Sequence, residues 1–132
     1  MSDLRIEARD LPEGVTILAL EGVLDSRSTK LVEERLRDLM EEGKLRIAVH
    51  CGGLIHLSSD GMGVFLSQLI KIRKRGGDIK FCEMNDDVKS VLSVLGLGKL
   101  LVVKATQKDA VAEFLTMAAR EKPKDAEKLR VV

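Results

Sequence analysis

Apolar residues follow two periods in turn along this chain. Leu4-Arg5-Ile6-Glu7-Ala8-Arg9 alternates apolar and charged, as a strand with one wet face does. Leu11-Pro12-Glu13-Gly14 supplies turn chemistry. Val15–Leu20 is then nearly all apolar, which predicts a strand covered on both faces. These two segments predict an antiparallel hairpin. The period then changes to that of a helix. Val32, Leu36, Leu39 and Met40 form one stripe, Ser28 or Thr29 is placed to cap it, and Gly43 ends it near Glu42.

The alternation continues down the chain. Arg46–Cys51 predicts a short strand. A helix from about Ser59 to Arg75 buries Met62, Phe65, Leu66, Leu69 and Ile70, and Gly76-Gly77 stops it. Lys71, Arg73, Lys74 and Arg75 suit the negative end of that helix. Asp78–Glu83 predicts a strand. Asn85 or Asp86 then caps a short helix carrying Val88, Val91, Leu92 and Leu95. Leu100–Val103 predicts a last strand. Thr106 with Asp109 resembles a capping box ahead of a helix through Ala110, Val111, Phe114, Leu115 and Ala118. From Arg120 the stripe is lost, and Lys122–Val132, with Pro123, reads as a poorly ordered polar tail.

The predicted order is β-β-α-β-α-β-α-β-α. It points to a single α/β domain over residues 1–119, with a tail over 120–132. The sheet is mostly parallel, has an antiparallel hairpin at its N-terminal end, and carries helices packed on it. In such sheets ligands and partners meet the carboxyl ends of the strands. The loops Leu24–Ser28, Gly52–Asp60 and Glu83–Asp87 should gather there.

Composition narrows the chemistry. The chain has 132 residues, 45% of them hydrophobic and 2% aromatic, so its core must be aliphatic. With no Trp or Tyr it has few stacking platforms for single-stranded nucleic acid. Its 22 basic and 21 acidic residues leave a net charge of +1, which gives no broad attraction to nucleic acid or anionic lipid. No stretch is long and apolar enough to span a bilayer and no secretory leader is evident, so the chain reads as soluble and cytoplasmic. Cys51 and Cys82 then read as buried reduced thiols. His50 and His56 lack the spacing and the acid neighbours of a metal site. A phosphate-binding Gly-x-x-x-x-Gly-Lys-Ser/Thr loop and a Gly-x-Ser-x-Gly elbow are both missing. No catalytic residue, metal or cofactor is expected, and a small hydrolase or nucleotide-binding enzyme is the weakest of the readings weighed.

One segment remains unexplained by folding alone. His56-Leu57-Ser58-Ser59-Asp60-Gly61-Met62-Gly63 crosses from strand to helix. One serine suffices for an N-cap, yet there are two. Gly61 and Gly63 fall in the first helical turn, where each costs about 1 kcal/mol relative to Ala. Bare backbone there lets another surface, or a phosphate, come close. A phosphate on Ser59 would sit at the positive end of the helix dipole, with Asp60 repelling it at short range.

The segment Ile47–Gly63 resembles the signature of the STAS domain, a family that includes bacterial anti-anti-sigma factors. That signature is of the type Asp/Ser-Ser-x-Gly-x-Gly at a helix start. Ser58 matches its first position, Ser59 the serine that a partner kinase phosphorylates, and Gly61 and Gly63 the glycines. Glu21-Gly22-Val23-Leu24-Asp25 resembles the family's Gly-x-Leu-Asp loop, where Asp25 matches the acid beside that serine. Gly96-Leu97-Gly98-Lys99-Leu100 resembles the segment before the last strand, and the likeness spans roughly residues 3–119. Many members have an acid where Ser58 and His50 stand here.

The resemblance implies a partner-switching module that is not an enzyme. Its partner is an anti-sigma factor serine kinase with a histidine-kinase-like ATPase fold, and a PP2C-type phosphatase reverses the modification. Phosphorylation falls on Ser59. The docking surface comprises Asp25, Ser26, Ser58, Asp60, Gly61, Met62 and Gly63. The alternative is a non-switching STAS module, either a scaffold in a sensory complex or a soluble subunit of a transporter.

Overall fold

The structure, a computed structural model, describes residues 3–116. The tail expected from residue 120 and Ala118 of the last helix lie outside them. The elements are β1 (Leu4–Asp10), β2 (Thr16–Leu24), α1 (Thr29–Glu41), β3 (Arg46–Leu57), α2 (Ser59–Lys74), β4 (Asp78–Cys82), α3 (Asp86–Val94) and β5 (Val102–Lys104). A last helix, α4, covers residues 107–116. This is the order the periodicity predicts.

Five strands form one sheet in the order β1-β2-β3-β4-β5. β1 pairs antiparallel with β2, from Leu4 opposite Gly22 to Asp10 opposite Thr16. The remaining pairs are parallel. Each crossover moves the same way across the sheet, and a constant hand of crossover puts the connecting helices on one face. Their buried stripes meet there in one cluster. It joins Val32, Leu36 and Leu39 of α1, Met62, Phe65, Leu69 and Ile72 of α2, and Val88 and Leu92 of α3 to Leu18, Leu20, Ile47, Val49, Ile79 and Phe81 of the strands. Phe65 and Phe81 meet edge to face, their centroids 5.2 Å apart.

The other face is covered by α4. Ala110, Val111 and Phe114 pack on Val15, Ile17, Ala48 and Cys82. Lys80 also points to this side and is 1% exposed. Its ammonium donates to Asp78 Oδ2 at 3.0 Å and lies 4.8 Å from the Phe114 ring centroid. Asp78 accepts from Arg73 Nε at 2.8 Å through its other oxygen. The buried charge is therefore paired, as burial requires.

Several boundaries and faces differ from the sequence reading. The stripe of α2 that meets the sheet is Met62, Phe65, Leu69 and Ile72, so Ile70 turns outward and is 54% exposed, while Leu66 is half-buried. Leu95 and Leu115 are likewise exposed beyond the buried stripes of their helices. β5 begins later than expected, because the amides of Leu100 and Leu101 turn back to the Leu97 carbonyl, both at 3.1 Å. Cys51 and Cys82 occupy neighbouring strands but belong to clusters on opposite faces. Burial pushes their thiols up to about 12 and about 11, so neither is a ready nucleophile.

Candidate functional site

The third strand does not stop at Cys51. The Gly52-Gly53 pair, which suggests a loop, is absorbed as a bulge inside β3. Ala19 lies opposite His50 and Glu21 opposite Gly53, so β3 holds one extra residue against β2. The amide of Gly52 donates to His50 Nδ1 at 3.1 Å. A Cβ on Gly52 would lie 2.6 Å from His50 Cε1, so the glycine and the histidine fit each other. The other extra residue is Ile55, between the pairs Gly22–Leu54 and Val23–His56. Ile55 is thrown outward, 73% exposed, while Leu54 and Leu57 stay buried. β4 ends at Cys82, opposite His50, so the rest of β3 overhangs it. Asn85 Nδ2 ties that overhang back through the Leu54 carbonyl at 3.3 Å.

After both bulges the register is restored, with Leu24 opposite Leu57. The ladder adds one more bond, from the Ser58 amide to the Leu24 carbonyl at 2.9 Å. The parallel pair therefore delivers Asp25 beside Ser58, at the carboxyl ends of both strands.

The two serines do different work. Ser58 is the N-cap of α2 in extended conformation, and its Oγ accepts from the Gly61 amide at 3.1 Å. Ser59 is exposed, and among the described residues no hydrogen bond engages its hydroxyl. Asp60 is exposed in the same first turn.

The two glycines also differ. A Cβ on Gly61 would meet Leu24 Cγ at 2.7 Å and the Leu24 carbonyl oxygen at 3.0 Å. Gly61 thus lets α2 sit down on the end of β2, and its bare backbone serves the fold. Nothing lies within 4 Å of a Cβ on Gly63, which leaves open space above the helix. Met62 is buried in the core and offers no surface. Of the seven positions expected to face a partner, Asp25, Ser26, Ser58, Asp60 and Gly63 reach the surface at this end, whereas Gly61 and Met62 lie beneath it.

The loop after β2 is closed by a buried serine. Ser28 Oγ accepts from the Asp25 amide at 3.1 Å and donates to the Val23 carbonyl at 3.1 Å. It precedes α1 but makes no side-chain cap, contrary to the expected role. Asp25 accepts from the Arg27 amide at 2.9 Å and from Arg27 Nη2 at 2.9 Å. These bonds hold its carboxyl below the usual carboxylate value. Ser26, Thr29 and Glu33 face Asp60, Gly63 and Ser67 across an open groove of about 390 Å³ between α1 and α2.

The third loop lies at the same end, tied to β3 through Asn85, and its acid Glu83 serves the fold. Glu83 adopts a left-handed φ of 58°, and its carboxylate accepts from the Gln107 amide at 2.8 Å, which anchors the start of α4. Sequence reasoning missed Glu83, since no local pattern marks it. It also missed Arg27, which looks like any exposed loop cation. Among the described residues no group of His, Cys, Asp and Glu could hold a metal ion. Nor, among them, is any helix long and apolar enough to cross a membrane.

Taken as a class, this is a one-sheet α/β domain that presents, on one end, a capped helix start, a hydroxyl unengaged among the described residues and a loop carrying the Asp25–Arg27 pair. The STAS domain model matches residues 8–110, and the chain belongs to that family. The Bordetella bronchiseptica protein BtrV, provisionally named an anti-sigma factor antagonist, is 28% identical over 111 residues, 84% of this chain and 96% of its own. An anti-sigma factor antagonist from Mycobacterium paratuberculosis superposes with a TM-score of 0.76 at 16% identity, covering 83% of this chain and 92% of its own. The anti-sigma factor antagonist SpoIIAA in unphosphorylated form gives 0.73 at 18% identity, over 85% and 97% of the two chains. In phosphorylated form SpoIIAA, from Bacillus, gives 0.65 at 17% identity, over 83% and 99%.

Proposed function

We propose that this chain is an anti-sigma factor antagonist that works by partner switching. Unmodified, it docks an anti-sigma factor serine kinase through Asp25, Ser26, Ser58, Asp60 and Gly63, and so frees a sigma factor for transcription. The kinase then writes on Ser59 and the complex parts. A PP2C-type phosphatase restores the first state. The setting is the cytoplasm.

One observation carries this reading: the Ser59 hydroxyl is exposed and unengaged among the described residues, while its neighbour's hydroxyl is spent on the cap. In the forward step Ser59 Oγ attacks the γ-phosphorus of the kinase's ATP. The new O–P bond forms as the bond to ADP breaks, and the hydroxyl proton passes to a base of the kinase. In the reverse step water displaces the serine oxygen and releases inorganic phosphate. The added charge, roughly two negative units, lands on the docking surface and leaves the core untouched. SpoIIAA, solved in unphosphorylated and phosphorylated forms, supports the reading by analogy.

The test mixes the full chain with its cognate kinase and ATP and counts phosphates by mass spectrometry. One phosphate at Ser59, and none on Ser59→Ala, is the expected result. Phosphate on another serine, or on none, defeats the assignment and leaves a non-switching scaffold as the better description.

A further inference from the structure

Asp25, the acid of the docking loop, is already answered by a cation. Arg27 donates to its carboxylate through Nε at 3.2 and 3.3 Å and through Nη2 at 2.9 Å. Nη2 also lies 3.0 Å from Asp3 Oδ2, just before β1. Arg27 thus bridges two carboxylates from different parts of the chain. Its side chain is 68% exposed, and the Asp25 and Asp3 side chains are 23% and 56% exposed. Ion pairs this wet are weak and exchange readily.

Modification at Ser59 changes the competition for that guanidinium. Asp25 stands beside Ser58 by strand register, one residue from Ser59. Ser26 and Asp60 line one groove, so the 25–28 loop and the first turn of α2 face each other. A phosphate on Ser59 would stand next to Asp60 in its own turn and one register step from Asp25, while Glu33 lines the same groove as Asp60. His56 is the other titratable group felt by Asp25. The partial positive charge of a helix end, about half a unit, cannot offset so many negative charges. A dianionic phosphate is also a stronger bidentate partner for guanidinium than one carboxylate.

We propose that Arg27 is a movable counter-cation for the Ser59 site. In the unmodified chain it rests on Asp25 and Asp3. When Ser59 carries phosphate, the guanidinium moves to the phosphate. That move leaves Asp25 as a free carboxylate on the docking surface and frees Asp3 ahead of β1. Phosphorylation would then alter the surface twice, by adding a dianion and by uncovering an acid. The proposal deepens the reading of Ser59 as the modified residue and rests on it, yet it is testable without any kinase.

The experiment installs phosphoserine at position 59 of the full chain during translation and follows its ³¹P signal through a pH titration. The second pKa of a phosphoserine is ordinarily about 6. In Arg27→Gln it should rise by roughly half a unit over the otherwise unchanged chain, and by less in Arg27→Lys. The Arg27 Nε resonance should also shift between chains with and without the phosphate. Lys71→Gln, at the far end of α2, removes the same charge and should leave the phosphate's pKa where it was. Equal values for Arg27→Gln and the parent, equal shifts for Arg27→Gln and Lys71→Gln, or an unmoved Nε resonance would each overturn the proposal. A kinase that ignores Ser59 would sink the partner-switching reading and leave this measurement standing. A kinase that modifies Ser59 in a chain whose phosphate ignores Arg27 would do the reverse.

Discussion

The starts of α2 and α3 share a plan and differ in what they leave on the surface. Both follow parallel strands at the same end of the sheet. Each is capped by an extended residue whose side-chain oxygen accepts an amide three residues on: Ser58 from Gly61 at 3.1 Å, Asn85 from Val88 at 2.8 Å. At the start of α3, up to Asp87, the remaining polar groups are either committed or acidic. The Asn85 amide reaches Leu54, Ser90 donates to the Asp86 carbonyl, and Asp86 and Asp87 fill the first turn. At α2 the turn holds a serine whose hydroxyl has no partner among the described residues, a single acid and two glycines. Capping physics accounts for the first residues of α3. It accounts for Ser58 at α2 and leaves Ser59 and Gly63 over. The candidate site shows here as a residue left unexplained once the fold has taken what it needs.

The strongest way to break this contrast is at Gly61. Gly61→Val should destabilise the chain by about 2–3 kcal/mol, because its branched side chain would enter Leu24 and Leu57. Urea midpoints measure it, and an unchanged midpoint would mean that α2 does not depend on this close seat. The two caps come next. Ser58→Ala should cost about 1 kcal/mol and leave Ser59 as the acceptor in the kinase assay. Asn85→Ala should cost more, about 1.5 kcal/mol, because it also strands the Leu54 carbonyl. Asn85→Asp keeps the cap and removes that second bond, so it should fall between Asn85→Ala and the parent. Equal losses for Ser58→Ala and Asn85→Ala would show that the tie to the β3 overhang contributes nothing.

The element order was legible because each strand and helix carries its own period. The opposite placements of Cys51 and Cys82 follow from strand alternation once register is known. Register itself was not legible. Two bulges let β3 run to Leu57, and a bulge depends on how the partner strand lies, which Gly52-Gly53 does not reveal. Ile70 was misplaced because the row Met62, Leu66, Ile70 is as apolar as the neighbouring row Phe65, Leu69, Ile72, and periodicity does not say which turns inward. At the site, Ser58, Ser59 and Asp25 were legible through short motifs. Their division of labour was not, since which serine caps is a matter of one backbone dihedral. Gly61 and Gly63 looked alike in sequence, and the distance to Leu24 separates them. Glu83 acts through Gln107, far along the chain, and Arg27 through Asp3 as well as its neighbour Asp25, and no motif marks either.

The glycine contrast gives a smaller, opposite effect. Gly63→Ala meets open space, so the fold should gain about 0.5–1 kcal/mol from the lost glycine flexibility. If Gly63 provides clearance for a docking partner, the same variant should bind the kinase more weakly while melting at a higher temperature. A variant that is both more stable and equally well bound would remove Gly63 from the docking surface. Weaker folding would instead show that the open space is taken up by something inside the chain.

The smallest effect tests the loop that faces α2. Arg27 holds the Asp25 carboxyl below its ordinary value of 3.8 in the folded chain, chiefly through side-chain and backbone hydrogen bonds. A depressed folded pKa contributes stability that is fully present above the unfolded value and is lost as pH falls through the folded one. Arg27→Gln should therefore be slightly less stable than the parent at neutral pH. The gap should hold down to about pH 5 and close by about pH 2, once the Asp25 carboxyl is protonated. Urea midpoints at pH 7, 5, 3 and 2 read it directly. The screening of exposed pairs predicts further that 1 M salt shrinks the neutral gap. A gap independent of both pH and salt would mean that Arg27 supports the loop by packing its aliphatic stem, and that its guanidinium does not hold Asp25 at all.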